Sequence, residues 1–63
     1  MRTTKELLNS LPKNVIAYVN GINKDYHGDS VGRAKAVAYC HGLMDAGMIT
    51  DRERMVLFCY ITL

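Results

Sequence analysis

The segment at positions 55–63 is the feature that most limits how this chain can fold. It reads Met-Val-Leu-Phe-Cys-Tyr-Ile-Thr-Leu. Wound into a helix, this run is apolar on every side, whereas a helix at a protein surface shows one apolar stripe. A chain of 63 residues has few other elements to lay against such a helix. We therefore expect part of its surface to contact another chain; the alternative is a frayed C-terminus with a few exposed apolar side chains.

The start of this helix and the end of the helix before it carry the clearest local signals. Residues 50–53, Thr-Asp-Arg-Glu, match the capping box, in which two side chains accept hydrogen bonds from two otherwise unpaired backbone amides. Gly47 suits the left-handed position that ends a helix. The preceding helix should therefore run from about Ser30 to Ala46, with Asp29 or Ser30 as its N-cap. The link at 47–49 is so short that the two helices should form a tight αα-hairpin.

Small residues recur at every fourth position of the helix predicted over 30–46. They leave one ridge almost without side chains, so another backbone can approach there at a crossing angle of roughly 50°. The ridge consists of Ser30, Ala34, Ala38, Gly42 and Ala46. The bulkier stripe beside it is interpreted as core and consists of Val37, Cys40, Leu43 and Met44. The predicted oligomer interface combines the ridge with the apolar tail and comprises Ala34, Ala38, Gly42, Met55, Leu57, Phe58, Ile61 and Leu63.

The N-terminal arm, residues 1–24, has the pattern of a helix interrupted at proline. Thr3 or Thr4 can cap a short helix, and Pro12 suits the first turn of a helix but no deeper position. Beyond Pro12, apolar residues are spaced as on one helical face. They are Val15, Ile16, Val19 and Ile22. Because these side chains are β-branched, a strand is the alternative for this segment.

Together these patterns predict an all-α fold. We expect residues 1–63 to form a single small domain of three main helices, the first interrupted near Pro12. Its arm spans 1–24, a turn-rich loop spans 25–29, and the αα-hairpin spans 30–63. We expect this domain to form a helical homodimer or a tighter oligomer.

The charge distribution favours a protein partner over nucleic acid. The net charge is +2, and the basic residues are single and spread out. Domains that grip phosphates cluster Lys and Arg much more heavily. A weak DNA-binding regulator that uses the basic arm, with contacts from Arg2, Lys5 and Lys13, is the alternative function. Tyr26, in the polar loop, is the tyrosine best placed for contact with a partner.

Nothing in the sequence favours catalysis, a metal or a cofactor. The potential metal ligands His27, Cys40, His41 and Cys59 match no zinc spacing. A Cys/His nucleophilic pair lacks an orienting third group. We therefore expect no enzyme, and we expect both cysteines to be small buried apolar residues. No secretion-signal core and no uncharged run of about 18 residues is present, which favours a cytoplasmic protein without a membrane span.

Residues 36–54 resemble a segment of the very small early proteins of lambdoid bacteriophages. Residues 47–53, Gly-Met-Ile-Thr-Asp-Arg-Glu, fit the Gly-x-Ile-Thr/Ser-x-x-Glu pattern that joins two helices in those proteins. The chain length and the abrupt apolar end are also similar to the short accessory products encoded between the phage recombination and excision genes. The resemblance implies an early accessory factor that tunes the decision between lysis and lysogeny. It supplies no catalytic residue to carry over.

The predicted function is accordingly stoichiometric. We expect a homo-oligomer, most simply a dimer, that binds a host or phage protein and alters the activity of that partner without turnover.

Overall fold

All of the regular secondary structure in the part of the chain that the structure describes is helical. The computed structural model describes residues 2–63, which form four α-helices and no strand. In chain order they are α1 (Thr4–Ser10), α2 (Lys13–Asp25), α3 (Ser30–Asp45) and α4 (Asp51–Thr62). The all-α prediction is confirmed, and the segment for which a strand is the alternative lies within α2. The interruption at Pro12 makes α1 and α2 separate helices, so there are four where the sequence predicts three.

The break between α1 and α2 follows from the proline at position 12. Proline has no backbone N–H, and its ring pushes the preceding residue out of the helical region. Leu11 is accordingly extended, with φ −83° and ψ 149°, and α2 starts directly after Pro12. Leu11 is only 6% exposed and belongs to the core. The corner between the two helices is therefore anchored by its side chain.

Three of the four helices begin at a side-chain cap. Thr3 and Glu6 form a capping box at α1, and Thr50 and Glu53 form one at α4. At α3, the Asp29 carboxylate accepts a hydrogen bond of 2.7 Å from a backbone amide of the first turn. These contacts satisfy amides that have no partner within the helix. The capping box predicted at Thr50 is confirmed.

The link between α3 and α4 is shaped by Gly47. Its φ of +78° lies in the left-handed region, which L side chains rarely adopt. The Met48 amide donates to the Leu43 carbonyl at 3.0 Å, and the Gly47 amide donates to the Met44 carbonyl at 2.9 Å. This pair of hydrogen bonds is a Schellman motif. Gly47 terminates the helix as predicted, and α4 turns back to pack against α3.

The core forms where the inward faces of the helices meet, and α4 is the one that lies against each of the other three. It packs against α1, α2 and α3, and Leu57 and Ile61 on its inner side are fully buried. An all-round apolar helix requires neighbours on several sides, and the chain itself supplies three. The buried apolar residues are Leu7, Leu11, Val15, Val19, Ala36, Cys40, Leu43, Ile49, Leu57 and Ile61.

Two residues that the sequence assigns to the core lie at the surface. Val37 is 39% exposed, and Cys59 is also exposed. Both corrections follow from helical spacing of about 100° per residue. Val37 is turned about 100° from the buried Ala36, onto the flank of α3. Cys59 is turned about 200° from the buried Leu57, onto the outer side of α4.

Candidate functional site

The outer side of α4 carries a row of exposed apolar side chains, which we name the tail stripe. It consists of Met55, Cys59 and Leu63, spaced four residues apart so that they follow one side of the helix. Met55 is 58% exposed and Leu63 is 96% exposed. Other exposed large apolar side chains, Tyr18, Val31 and Val37, lie on α2 and α3 and do not belong to this row. The tail stripe is therefore a candidate surface for contact with another molecule.

A shallow groove continues the tail stripe towards α1. It has a volume of about 340 Å³ and is bordered by Val56 and Tyr60 of α4 and by Thr4 of α1, in addition to the stripe itself. Val56 and Tyr60 are half-buried and pack against the core. Among residues 2–63, no charged side chain borders the groove. The surface can therefore bury apolar groups of a partner.

The residues in the C-terminal part of the predicted oligomer interface differ in their exposure. Met55 and Leu63 are exposed, whereas Leu57 and Ile61 have no exposed surface. Phe58 is half-buried against the core. The assignment of Leu57 and Ile61 to an interface is corrected, because both side chains are already enclosed by α4 and its neighbours within one chain. Met55, Leu63 and the exposed part of Phe58 remain available for an interface with a second chain.

The small-residue ridge of α3 lies open. Ala34, Ala38 and Gly42 are all exposed, and a Cβ built on Gly42 would meet nothing within 4 Å. None of the four helices within residues 2–63 therefore makes the close approach that the ridge would permit. The groove beside the tail stripe contains none of these residues. The role of the ridge in an interface with a second chain stays a prediction.

The N-terminal arm is tied to the start of α4 by an arginine. Arg2 Nε donates to Glu53 Oε2 at 2.6 Å, and Arg2 Nη2 donates to Glu53 Oε1 at 2.9 Å. The same guanidinium donates to the Ser10 hydroxyl and, at 3.4 Å, to the Met48 carbonyl. Glu53 is only 3% exposed, so its charge requires a partner.

Arg2, one of the three basic residues predicted to contact a partner, is engaged within the chain. Its guanidinium is held by Glu53 while its side chain stays 37% exposed, and Lys5 and Lys13 are exposed. The contact of Arg2 with a partner stays a prediction. Neither lysine has a salt bridge within residues 2–63. The capping box predicts the backbone role of Glu53, but no signal in the sequence points to a partner 51 positions away.

The arginine contact controls the titration of Glu53. Hydrogen bonds from Arg2, followed by that from the Thr50 amide, lower the pKa of Glu53 to about 2, against the opposing effect of burial. Glu6 is arranged similarly at α1, and hydrogen bonds from Thr3 lower its pKa below the usual value. A carboxyl group whose pKa is lowered by folding stabilises the folded state above its unfolded pKa. That contribution is lost as the pH falls towards the folded pKa.

We expect Glu53→Gln to flatten the acid side of the stability curve. In the unmodified chain, Tm should fall as the pH drops from about 5 to about 2, because Glu53 must then take up a proton. The variant should have a lower Tm at pH 7 and a smaller decrease over that range, with Glu6 leaving a residual slope. Thermal unfolding followed by circular dichroism at stepped pH measures both. Asp45→Asn, at an exposed position of α3, should retain the full slope, and an unchanged slope in Glu53→Gln would contradict the assignment.

A second cavity lies where the end of α2 meets the start of α3, and we name it the tyrosine groove. Its volume is about 420 Å³, and its principal lining residues are Tyr18, Ile22, Asp25, Tyr26, Asp29 and Lys35. Tyr26, the residue predicted to contact a partner, is thus half-buried in a cavity wall, not free in a loop. The contact with a partner stays a prediction.

Both aromatic rings of the tyrosine groove are held by neighbours. Tyr18 stacks on Tyr39, with ring centroids 4.5 Å apart and an interplanar angle of 28°. Tyr26 lies against Gly32, where an added Cβ would be 3.0 Å from Tyr26 Cδ1. The sequence shows Gly32 only as a residue of a turn-rich segment. Its use here is to let an aromatic ring approach the helix backbone.

The cysteines differ in what they can do chemically. Burial raises the pKa of the Cys40 thiol to about 11, so this thiol is protonated and inert near neutral pH. Cys59 is the exposed thiol of the pair. Residues 2–63 contain no group of three His, Cys, Asp or Glu side chains placed to hold a metal ion. Over the same residues, no helix has both the length and the apolar character needed to cross a membrane.

No protein-family model matches this chain, and neither does any curated protein or solved structure. The resemblance of residues 36–54 to phage proteins therefore stays a prediction.

Proposed function

We propose that this chain is a small regulatory protein of the phage accessory type that acts by stoichiometric protein–protein binding as a homo-oligomer, most simply a dimer. The proposal rests on the exposure of the tail stripe. Met55 is 58% exposed on a helix whose inner residues Leu57 and Ile61 are fully buried, and Leu63, the C-cap of that helix, is 96% exposed. In the proposal, a second copy of the chain covers this stripe.

The energetics support a dimer of moderate affinity. In a two-fold interface each contact occurs twice, so Met55 and Leu63 contribute four large apolar side chains. Burying each of them is worth about 1.5–3 kcal/mol. Association costs an estimated 4–15 kcal/mol in lost freedom of motion. The gain is comparable to the cost, so we expect an equilibrium between monomer and dimer that depends on concentration.

The regulatory part of the proposal rests on the sequence. If the phage resemblance holds, the dimer binds a host or phage protein in the host cytoplasm and shifts the decision between lysis and lysogeny without turnover. The groove beside the tail stripe supports binding over catalysis, because the residues described there are mostly apolar and none has a charged side chain.

The alternative, a weak DNA-binding regulator, has less support. Of the three basic residues predicted to contact DNA, Arg2 is already paired with Glu53. The other two are Lys5 and Lys13. Two separated lysines release few counterions on binding DNA and give low affinity at physiological salt.

The rate at which Cys59 reacts with a maleimide tests the dimer. Cys59 lies in the centre of the tail stripe, and Cys40 does not compete because its thiol is buried and protonated. We expect labelling to slow several-fold as the protein concentration rises from about 1 μM to about 200 μM, since a second copy covers the stripe. A labelling rate that does not depend on concentration would contradict the proposal.

A matched control places the thiol elsewhere. In the variant that combines Cys59→Ser with Lys13→Cys, the thiol stands at an exposed position at the start of α2. Its labelling rate should be the same at all concentrations. A parallel decrease in the control would show that a general effect of protein concentration, and not coverage of the tail stripe, slows the reaction.

A further inference from the structure

We propose that the tyrosine groove binds the arginine side chain of a partner polypeptide. The groove is formed by α2 and α3 and shares no residue with the tail stripe or with the cavity beside it. The proposal therefore does not depend on oligomerisation of the chain.

The two tyrosine rings of the groove suit a guanidinium group. A guanidinium group is planar and weakly hydrated, and it stacks on the face of tyrosine. Tyr18 is 57% exposed and is kept in place by its stacking on Tyr39. Tyr26 is kept in place by its contact with the Gly32 backbone. Because both rings are already ordered, a ligand that stacks on them loses little additional freedom of the protein.

The charged side chains of the groove favour a cation. Two carboxylates, Asp25 and Asp29, and one amine, Lys35, line the groove, which gives a net charge of −1. Asp29 is partly engaged as the N-cap of α3. Asp25 is exposed and has no salt bridge within residues 2–63. It is also the last residue of α2, at the helix end whose dipole attracts cations.

The remaining walls fit the rest of an arginine side chain. Ile22 is half-buried and Val31 is 64% exposed, and both line the groove. Apolar walls of this kind contact the methylene stem of an arginine while its charged end reaches a carboxylate. The volume of about 420 Å³ falls within the range of about 300–1,000 Å³ typical of ligand pockets. A carboxylate beside a tyrosine face favours the forked guanidinium over the compact ammonium of lysine.

The test is an NMR titration of the ¹⁵N-labelled chain with N-acetyl-arginine amide. We expect saturable shifts of the backbone amides around the groove, those of Tyr18, Tyr26 and Lys35 among them, with a dissociation constant in the millimolar range typical of one small side chain. N-acetyl-citrulline amide has nearly the same shape without the charge and should cause no saturable shift. Equal responses to the two compounds, or none to either, would overturn the proposal.

Two substitutions with opposite expected effects on the arginine affinity make the test specific. Asp25→Asn should weaken arginine binding by about three- to fivefold, whereas Lys35→Gln should strengthen it by about twofold. Asp45→Asn and Lys13→Gln make the same charge changes outside the groove and should leave the affinity unchanged. Tyr18→Ala should weaken binding by about threefold, and Tyr18→Phe should restore it because the ring face remains. If Asp25→Asn and Lys35→Gln both behave like their controls, the groove does not recognise the cation.

Discussion

Leu57→Ala is expected to lower Tm by at least about 10 °C and to leave a large fraction of the chain unfolded at 37 °C. Leu57 has no exposed surface and lies at the centre of the contacts between α4 and its neighbours. Removing a buried leucine side chain costs about 2–5 kcal/mol. A folded chain of 63 residues has roughly 3–9 kcal/mol of stability in total. The substitution therefore removes much of what holds the fold together.

Met55→Ala is the matched control for this prediction. It shortens a large apolar side chain of the same helix, but one that is 58% exposed. At a concentration where the chain is monomeric, we expect the free energy of unfolding to change by less than about 0.5 kcal/mol. Thermal and urea unfolding followed by circular dichroism compare the two variants. Equal losses of stability in both would contradict the assignment of Leu57 to the inner side of α4 and Met55 to the outer side.

Met55→Asp is expected to abolish self-association while the monomer stays folded. In the proposed dimer the new carboxylate would be buried against apolar side chains, once from each copy, without a partner of opposite charge. An uncompensated buried charge costs about 3–5 kcal/mol, so the dissociation constant should rise by at least about 100-fold. In the monomer the same carboxylate remains in water, and the helix loses only a fraction of a kcal/mol, ~0.7 at most, in propensity.

The choice of Met55 separates the interface from the core. A charged substitution at Leu57 would unfold the chain and so could not report on association. Asn9→Asp adds one negative charge at an exposed position of α1 and should leave the dimer intact. Ala38→Asp examines the ridge of α3 in the same assay, and dissociation there would extend the interface to the ridge. A Met55→Asp variant that still dimerises with unchanged affinity would exclude the tail stripe from the interface.

The helix boundaries could be predicted because their causes are local. Pro12 ends one helix and starts another through the geometry of its own ring. Thr50 and Glu53 are three residues apart and satisfy amides of the same turn. Gly47 adopts its left-handed conformation for lack of a Cβ. None of these signals requires knowledge of which helices are neighbours.

The orientation of α4 could not be predicted, because hydrophobic periodicity carries no information in a helix that is apolar on all sides. The sequence assigns Leu57 and Met55 alike to the oligomer interface, and only packing against the other three helices distinguishes them. The position of Glu53 adds to the difficulty. This acidic residue lies on the buried side, where its charge is compensated by Arg2.

The candidate sites depend on contacts between residues that are distant in the chain. The ring of Tyr18 meets Tyr39 from another helix, and Arg2 reaches Glu53 across nearly the whole sequence. Composition indicates that tyrosines and arginines are present, but not which of them meet. The exposed position of Cys59 likewise follows from the orientation of α4.

Sedimentation velocity of the unmodified chain and of Met55→Asp, between about 1 μM and about 200 μM, shows whether the chain associates through the tail stripe. We expect the unmodified chain to shift from monomer to dimer as the concentration rises, while Met55→Asp remains a folded monomer throughout. A chain that sediments as a monomer over the whole range would contradict the claim that a second copy covers the tail stripe.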